Sequence, residues 1–234
     1  MSFKSFIREL NGNNVEGELI KTIFVSLASS FALFGILYYF KLRFIENFIP
    51  KYGFFIFFAI LSYALILSSI RQIRAYKEFA CMSGMMIGMT IGMIIGFLPG
   101  FFIGATNGMF YGSVFGMALG IFFGIWNGKC CGIMGIMEGT MAGFMGGIMG
   151  AMTSVMMIND NVKIAGVIVF IISGFIILGL NFMVYKETRG IERKHKDEEF
   201  FTIFWSFALT AITIWLAVFG PRSALFSWNQ QLML

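Results

Sequence analysis

Fifteen of the chain's eighteen methionines fall between residues 82 and 157, where Leu occurs only at 98 and 119. A thioether is a soft, polarizable ligand, and together with thiolates it selects Cu(I) over harder cations. Placing Gly139 at 0° and stepping about 100° per residue puts Met134, Met137, Met141, Met145, Met149, Met152 and Met156 between about 160° and 280°. On the same wheel Gly135, Gly143, Gly146, Gly147 and Gly150 fall between about 320° and 80°. One helix therefore carries two faces, methionine and glycine. Glu138 lies near 260° on the methionine side, and it is the only acidic residue well inside an apolar stretch. An ionisable side chain at such a position costs a few kcal/mol unless it is paired, protonated or hydrated, so it marks a functional-site hypothesis. A second row, Met82, Met85, Met86, Met89 and Met93, follows Cys81 and lies next to its glycines rather than opposite them.

Three readings of the methionine ladder follow from these positions. The first is packing, since Met fills irregular gaps left opposite Gly. The second is a soft-metal path for Cu(I), with Met85, Met89, Met93, Met134, Met137, Glu138, Met141, Met145 and Met149 as ligands. In that reading Cys81, Cys130 and Cys131 receive the ion at the cytoplasmic boundary, where thiols stay reduced. The third is an adaptable apolar groove for a helix or lipid. For Glu138 the structural alternative is a neutral carboxyl bonded to Thr140, Thr90 or a backbone carbonyl.

The elements that position these residues are membrane helices. The 234 residues are 58% hydrophobic and 12% charged, with a mean hydropathy of +0.83, whereas soluble domains are about 25% charged. The apolar runs are continuous, which favours an all-α integral membrane protein over a β-barrel. Seven runs qualify as spans, roughly 20–40, 53–70, 79–98, 108–126, 131–157, 163–185 and 200–219. Pro99-Gly100 is read as the break after span 3, and Arg71 and Arg74 as loop residues after span 2. The N-terminal side holds twelve Lys and Arg and the opposite side five, which predicts a plasma-membrane protein with a cytoplasmic N-terminus and an external C-terminus. The net charge of +5 then answers to anionic lipid, with no nucleic-acid partner expected.

The expected organisation is a cytoplasmic amphipathic segment at 1–19 and spans 1–2 with a basic loop at 20–78. A Gly/Met-rich core of spans 3–5 follows at 79–158. Spans 6–7 occupy 159–219, joined by the charged cytoplasmic loop 186–199, and a short tail covers 220–234. In the core, glycine recurs every fourth residue from Gly84 to Gly132, and after a one-residue slip from Gly135 to Gly147. Residues four apart lie on nearly one helix face, and in lipid such stripes allow the close backbone approach that drives helix pairing. Spans 3–5 are therefore expected to form a tight inner bundle, with spans 1, 2, 6 and 7 as a lipid-facing surround.

MxxxM on one transmembrane helix and GxxxG on another resembles the eukaryotic copper-importer channels. Met85/Met89 and Met137/Met141 match the first element and the glycine ladder the second. Those channels are three-span trimers with Met- or His-rich extracellular tails, and this chain has neither feature. The resemblance covers a few positions and implies Cu(I) as cargo.

No nucleotide-binding, dinucleotide-binding or HExxH motif occurs, no span contains Asp, and the only His, His195, sits in the charged loop. An enzyme is not expected. The leading expectation is a multi-pass protein that transports or senses a soft metal ion along its Met face. The alternative is a non-catalytic assembly subunit whose glycine grooves take a partner helix, a second copy or lipid.

Overall fold

The computed structural model describes residues 15–40, 52–75, 81–129, 132–188 and 199–221. Among them are seven α-helices and no strands: α1 (Val15–Phe40), α2 (Phe54–Ala75), α3 (Cys81–Asn107), α4 (Met109–Gly128), α5 (Gly132–Met156), α6 (Val162–Thr188) and α7 (Glu199–Phe219). Six of them are long and apolar enough to cross a membrane, which makes the chain an all-α multi-pass membrane protein. The seventh is α5. Its 25 residues reach about 37 Å at 1.5 Å each, but seven Gly, two Thr and Glu138 hold its apolarity below that of the others. The seven spans expected are thus six plus a glycine-methionine helix packed on α3 and α4.

Glycine sets the core. A Cβ placed on Gly92, Gly96 or Gly100 of α3 would lie 2.8 Å from the carbonyl oxygen of Gly139, Gly143 or Gly147 of α5, respectively. The partners advance together, so α3 and α5 run parallel and share depth along this stretch. The pairs Gly120–Gly143, Gly124–Gly139 and Gly128–Gly135 advance oppositely, so α4 is antiparallel to α5. Gly116 completes the triangle, 2.6 Å in the same sense from the Gly96 oxygen. Contact at this range needs residues without a Cβ, which explains the four-residue period on all three helices.

Two sequence-based boundaries shift. Helix α3 does not end at Pro99-Gly100 but continues through both to Asn107. A proline inside a membrane helix is tolerated where neighbouring elements enclose it, and here Pro99 and Gly100 are buried with Phe101–Ile103 beyond them. The turn comes instead at Gly108, whose φ of 107° suits glycine, and α4 begins at the next residue. Helix α2 likewise runs past residue 70, so Arg71 and Arg74 belong to its last turns rather than to a loop.

The remaining helices do not surround the glycine triad. Helix α2 packs on α1, α3, α6 and α7, and this group covers one flank. Buried Tyr63, Leu67 and Ile70 of α2 meet Ile87, Leu98 and Phe101 of α3 and Phe123 of α4 there. Helix α5 meets only α3 and α4 over any length. Its far side is open.

The outer group is joined by hydroxyls. Ser206 of α7 is fully buried and lies 3.2, 3.1 and 2.7 Å from the hydroxyls of Ser26, Ser29 and Ser30 of α1. Tyr63 and Thr213 join α2 to α7 at 2.7 Å. Interhelical hydrogen bonds in membranes contribute about 0.6 kcal/mol each, so Ser206→Val should destabilise the purified protein by about 1–2 kcal/mol. Ser29→Ala, at the edge of the cluster, should cost less than half of that in the same denaturant titration.

Candidate functional site

Packing the glycine stripes inward turns the methionines outward. Met134, Met137, Met141, Met145 and Met149 of α5 are all exposed, Met141 at 60%, and Met152 and Met156 continue the row. On α3, Met89 and Met93 are exposed and Met85 is half-buried. The two rows meet along one seam. A Cβ on Gly146 would lie 2.5 Å from the Met93 carbonyl oxygen, so Met93 borders α5, and Met89, Met86 and Met82 extend that edge at i−4, i−7 and i−11.

On the α5 side, Glu138 precedes buried Ala142 by four residues, while Met145 and Met149 follow Ala142 and Gly146 by three. These spacings set all three beside the row that faces α3. The parallel register then places Glu138 at the depth of Met89 and Thr90. The wheel drawn from sequence could separate glycine from methionine on α5. Only the α3–α5 register shows that a second row stands alongside.

Glu138 is half-buried and makes no hydrogen bond or ion pair among the described residues. Neither threonine suggested for it serves. Thr90 donates to the Met86 oxygen and Thr140 to the Ile136 oxygen, each at 2.7 Å within its own helix. Cys81 opens α3, so its backbone lies at the same end as the start of α5. Cys130 and Cys131 lie outside the described residues, as do residues 1–14 of the segment expected at 1–19 and residues 189–198 of the charged loop. Among the described residues no three His, Cys, Asp or Glu gather as metal ligands. A soft-ion site on this seam would rest on thioethers and one carboxylate.

A second polar constellation escaped the sequence reading. Arg71 is 8% exposed, and its Nη1 donates to the Thr22 hydroxyl at 2.8 Å. Nearby Ser69 donates to the Asn181 side-chain oxygen at 2.7 Å and Gln72 to the Asn181 carbonyl at 3.4 Å. The guanidinium of Arg74 lies 5.5 Å from the Trp126 ring centre, and Trp126 packs edge-on against Trp205. These contacts tie α1, α2, α4, α6 and α7 together at the N-terminal end of the bundle. A signal was available: Thr22, Ser26, Ser29 and Ser30, like Ser206, Thr210 and Thr213, recur at helical spacing within otherwise apolar spans.

Fold and seam together define a multi-pass membrane protein with an outward thioether flank. The chain has no match among family models, curated proteins or solved structures.

Proposed function

We propose that this membrane protein takes a soft monovalent metal ion, Cu(I) first, on the flank where α3 and α5 meet, as a transporter or sensor. One observation carries the reading. The glycine register brings two methionine rows and the only carboxylate of α5 to one side of the bundle. Residues four apart on a helix rise about 6 Å, so flexible thioethers from Met137/Met141 or Met141/Met145 can converge on one ion. Glu138 offsets its charge. Among the described residues the glycine stripes of α3, α4 and α5 meet backbone to backbone, and in this reading the ion moves along the outer seam. Among the described residues, Lys21, Arg71, Arg74, Lys129 and Lys186 stand at the N-terminal end and Lys163 at the other. This distribution favours a cytoplasmic N-terminal end. No catalytic step is needed.

The assembly-subunit alternative is favoured by the one-sided packing of α5. A partner would then meet the Met face, because the chain fills its own glycine grooves. Titration of the purified protein with Ag(I) separates the two readings. Met141→Leu with Met145→Leu keeps size and apolarity but removes the donors, and binding should fall at least about tenfold, or 1.4 kcal/mol. Unchanged Ag(I) binding in that double variant would sink the metal reading and leave the assembly reading standing.

A further inference from the structure

Every exposed methionine among the described residues lies on α3, α4, α5 or in the turn after α5. The other outward flanks are built differently. Helix α6 is unobstructed at Gly179, where a Cβ would meet nothing within 4 Å, yet it presents Ile168, Ile172, Phe175 and Ile176. Helix α7 presents Phe204, Phe207, Ile212 and Phe219. Apolarity alone therefore does not require Met on α5, since Leu or Ile would suit an apolar surrounding equally well. A thioether differs from those side chains in its reactivity as well as its softness toward metals. Its sulfur accepts an oxygen atom and becomes a sulfoxide, a change that reductases reverse.

Packing shields some methionines from that reaction. Met183 of α6 is half-buried against the main core cluster, and Met117 of α4 is half-buried beside Gly147. Met141, Met145 and Met149 stand exposed in the middle and second half of α5. A peroxide that reaches them inside a bilayer must dissolve in hydrocarbon, which favours an organic hydroperoxide over a hydrated oxidant. We propose that the outward face of α5 is a site of reversible oxidation by organic hydroperoxides, with Met141, Met145 and Met149 as the acceptors. The thioether sulfur attacks the outer peroxide oxygen, so an S–O bond forms and the O–O bond breaks. Sulfur gives up an electron pair, the hydroperoxide is reduced to its alcohol, and the peroxide's own proton ends on the departing alkoxide oxygen. A sulfoxide presents a hard oxygen where a soft sulfur stood, so oxidation would release a soft ion. That consequence alone rests on the metal reading.

The half-buried methionines supply the internal control. The full-length protein in phosphatidylcholine nanodiscs would be treated with cumene hydroperoxide, which partitions into the bilayer. Peptide mass spectrometry then follows each methionine as a gain of about 16 Da per sulfoxide. Met141, Met145 and Met149 should carry at least about tenfold more sulfoxide than Met117 and Met183, in step with their exposure. In protein unfolded in dodecyl sulfate the difference should vanish. Equal oxidation of the two groups in the native protein, or an α5 row that stays reduced, overturns the site. A difference that persists after unfolding comes from local sequence rather than packing and overturns it as well. Titration of the same native samples with Ag(I) reads the consequence, and oxidised protein should bind at least about tenfold more weakly than reduced. Unchanged Ag(I) binding after oxidation overturns the release of the ion. Absence of Ag(I) binding before oxidation sinks the metal reading instead, and the sulfoxide pattern still decides the site.

Discussion

Gly92→Leu should abolish the folded bundle, while Gly179→Leu should leave it intact. A Cβ at Gly92 lies 2.8 Å from the Gly139 oxygen, 3.3 Å from Gly124 Cα and 3.4 Å from the Gly120 oxygen. All three neighbours are backbone, on two different helices, so no rotamer change relieves the clash. Overpacking by a few methylenes costs about 1–3 kcal/mol even when side chains can yield, and whole-domain stability is only about 5–15 kcal/mol. A leucine here must push both helices away and open the triad. Gly92→Ala should show a smaller form of the same effect, a loss of about 1–3 kcal/mol. At Gly35, where a Cβ meets nothing within 4 Å, Ala should stabilise by up to about 1 kcal/mol through helix propensity. Thermal unfolding in one detergent would read all four variants. Equal midpoints for Gly92→Leu and Gly179→Leu would refute glycine contact as the organiser of the core.

The glycine core was legible because its signal is local and geometric. A four-residue period of Gly fixes which face of each helix is smooth, and the thioethers of α5 fall opposite. What the period lacks is a partner list. Gly88 to Gly104 could have faced lipid, a second copy or any other stripe. The parallel pairing of α3 with α5, through Gly92 and Gly139, is a long-range fact that spacing does not encode. Pro99 misled for a related reason. Its local preference is to end a helix, but burial between neighbouring helices in a bilayer outweighs that preference.

The outer half was less legible because apolar helices resemble one another by composition. Phe, Ile and Leu on α1, α2, α6 and α7 suit lipid and neighbouring helices equally, so hydropathy alone suggested a ring around the core. The informative residues were the few polar ones. Ser26 and Ser30 have a purpose once Ser206 is opposite, and Arg71 reads as a helix residue once Thr22 is its acceptor. Read as a loop cation, Arg71 merely marked the end of a span. It is instead a buried residue of a helix that extends to Ala75.

Glu138 should separate function from stability. A carboxylate within a membrane helix carries a cost of up to about 3 kcal/mol, and Glu138, under two turns from the start of α5, has no hydrogen bond or ion pair among the described residues to offset it. Glu138→Leu should therefore stabilise the metal-free protein by about 1–3 kcal/mol, because the side chain leaves no partner stranded. The same change should weaken Ag(I) binding at least about tenfold, since the one carboxylate of α5 is gone. Glu138→Gln keeps the shape and a donor oxygen but not the charge, so it should lie between wild type and Leu in both measurements. A structural carboxyl would give the reverse sign: destabilisation by Leu with metal binding unchanged. If Leu stabilises and binding persists, the thioethers suffice and Glu138 is dispensable. A stable bundle that no longer holds the ion would mean the chain keeps an unfavourable charge for the sake of that ion.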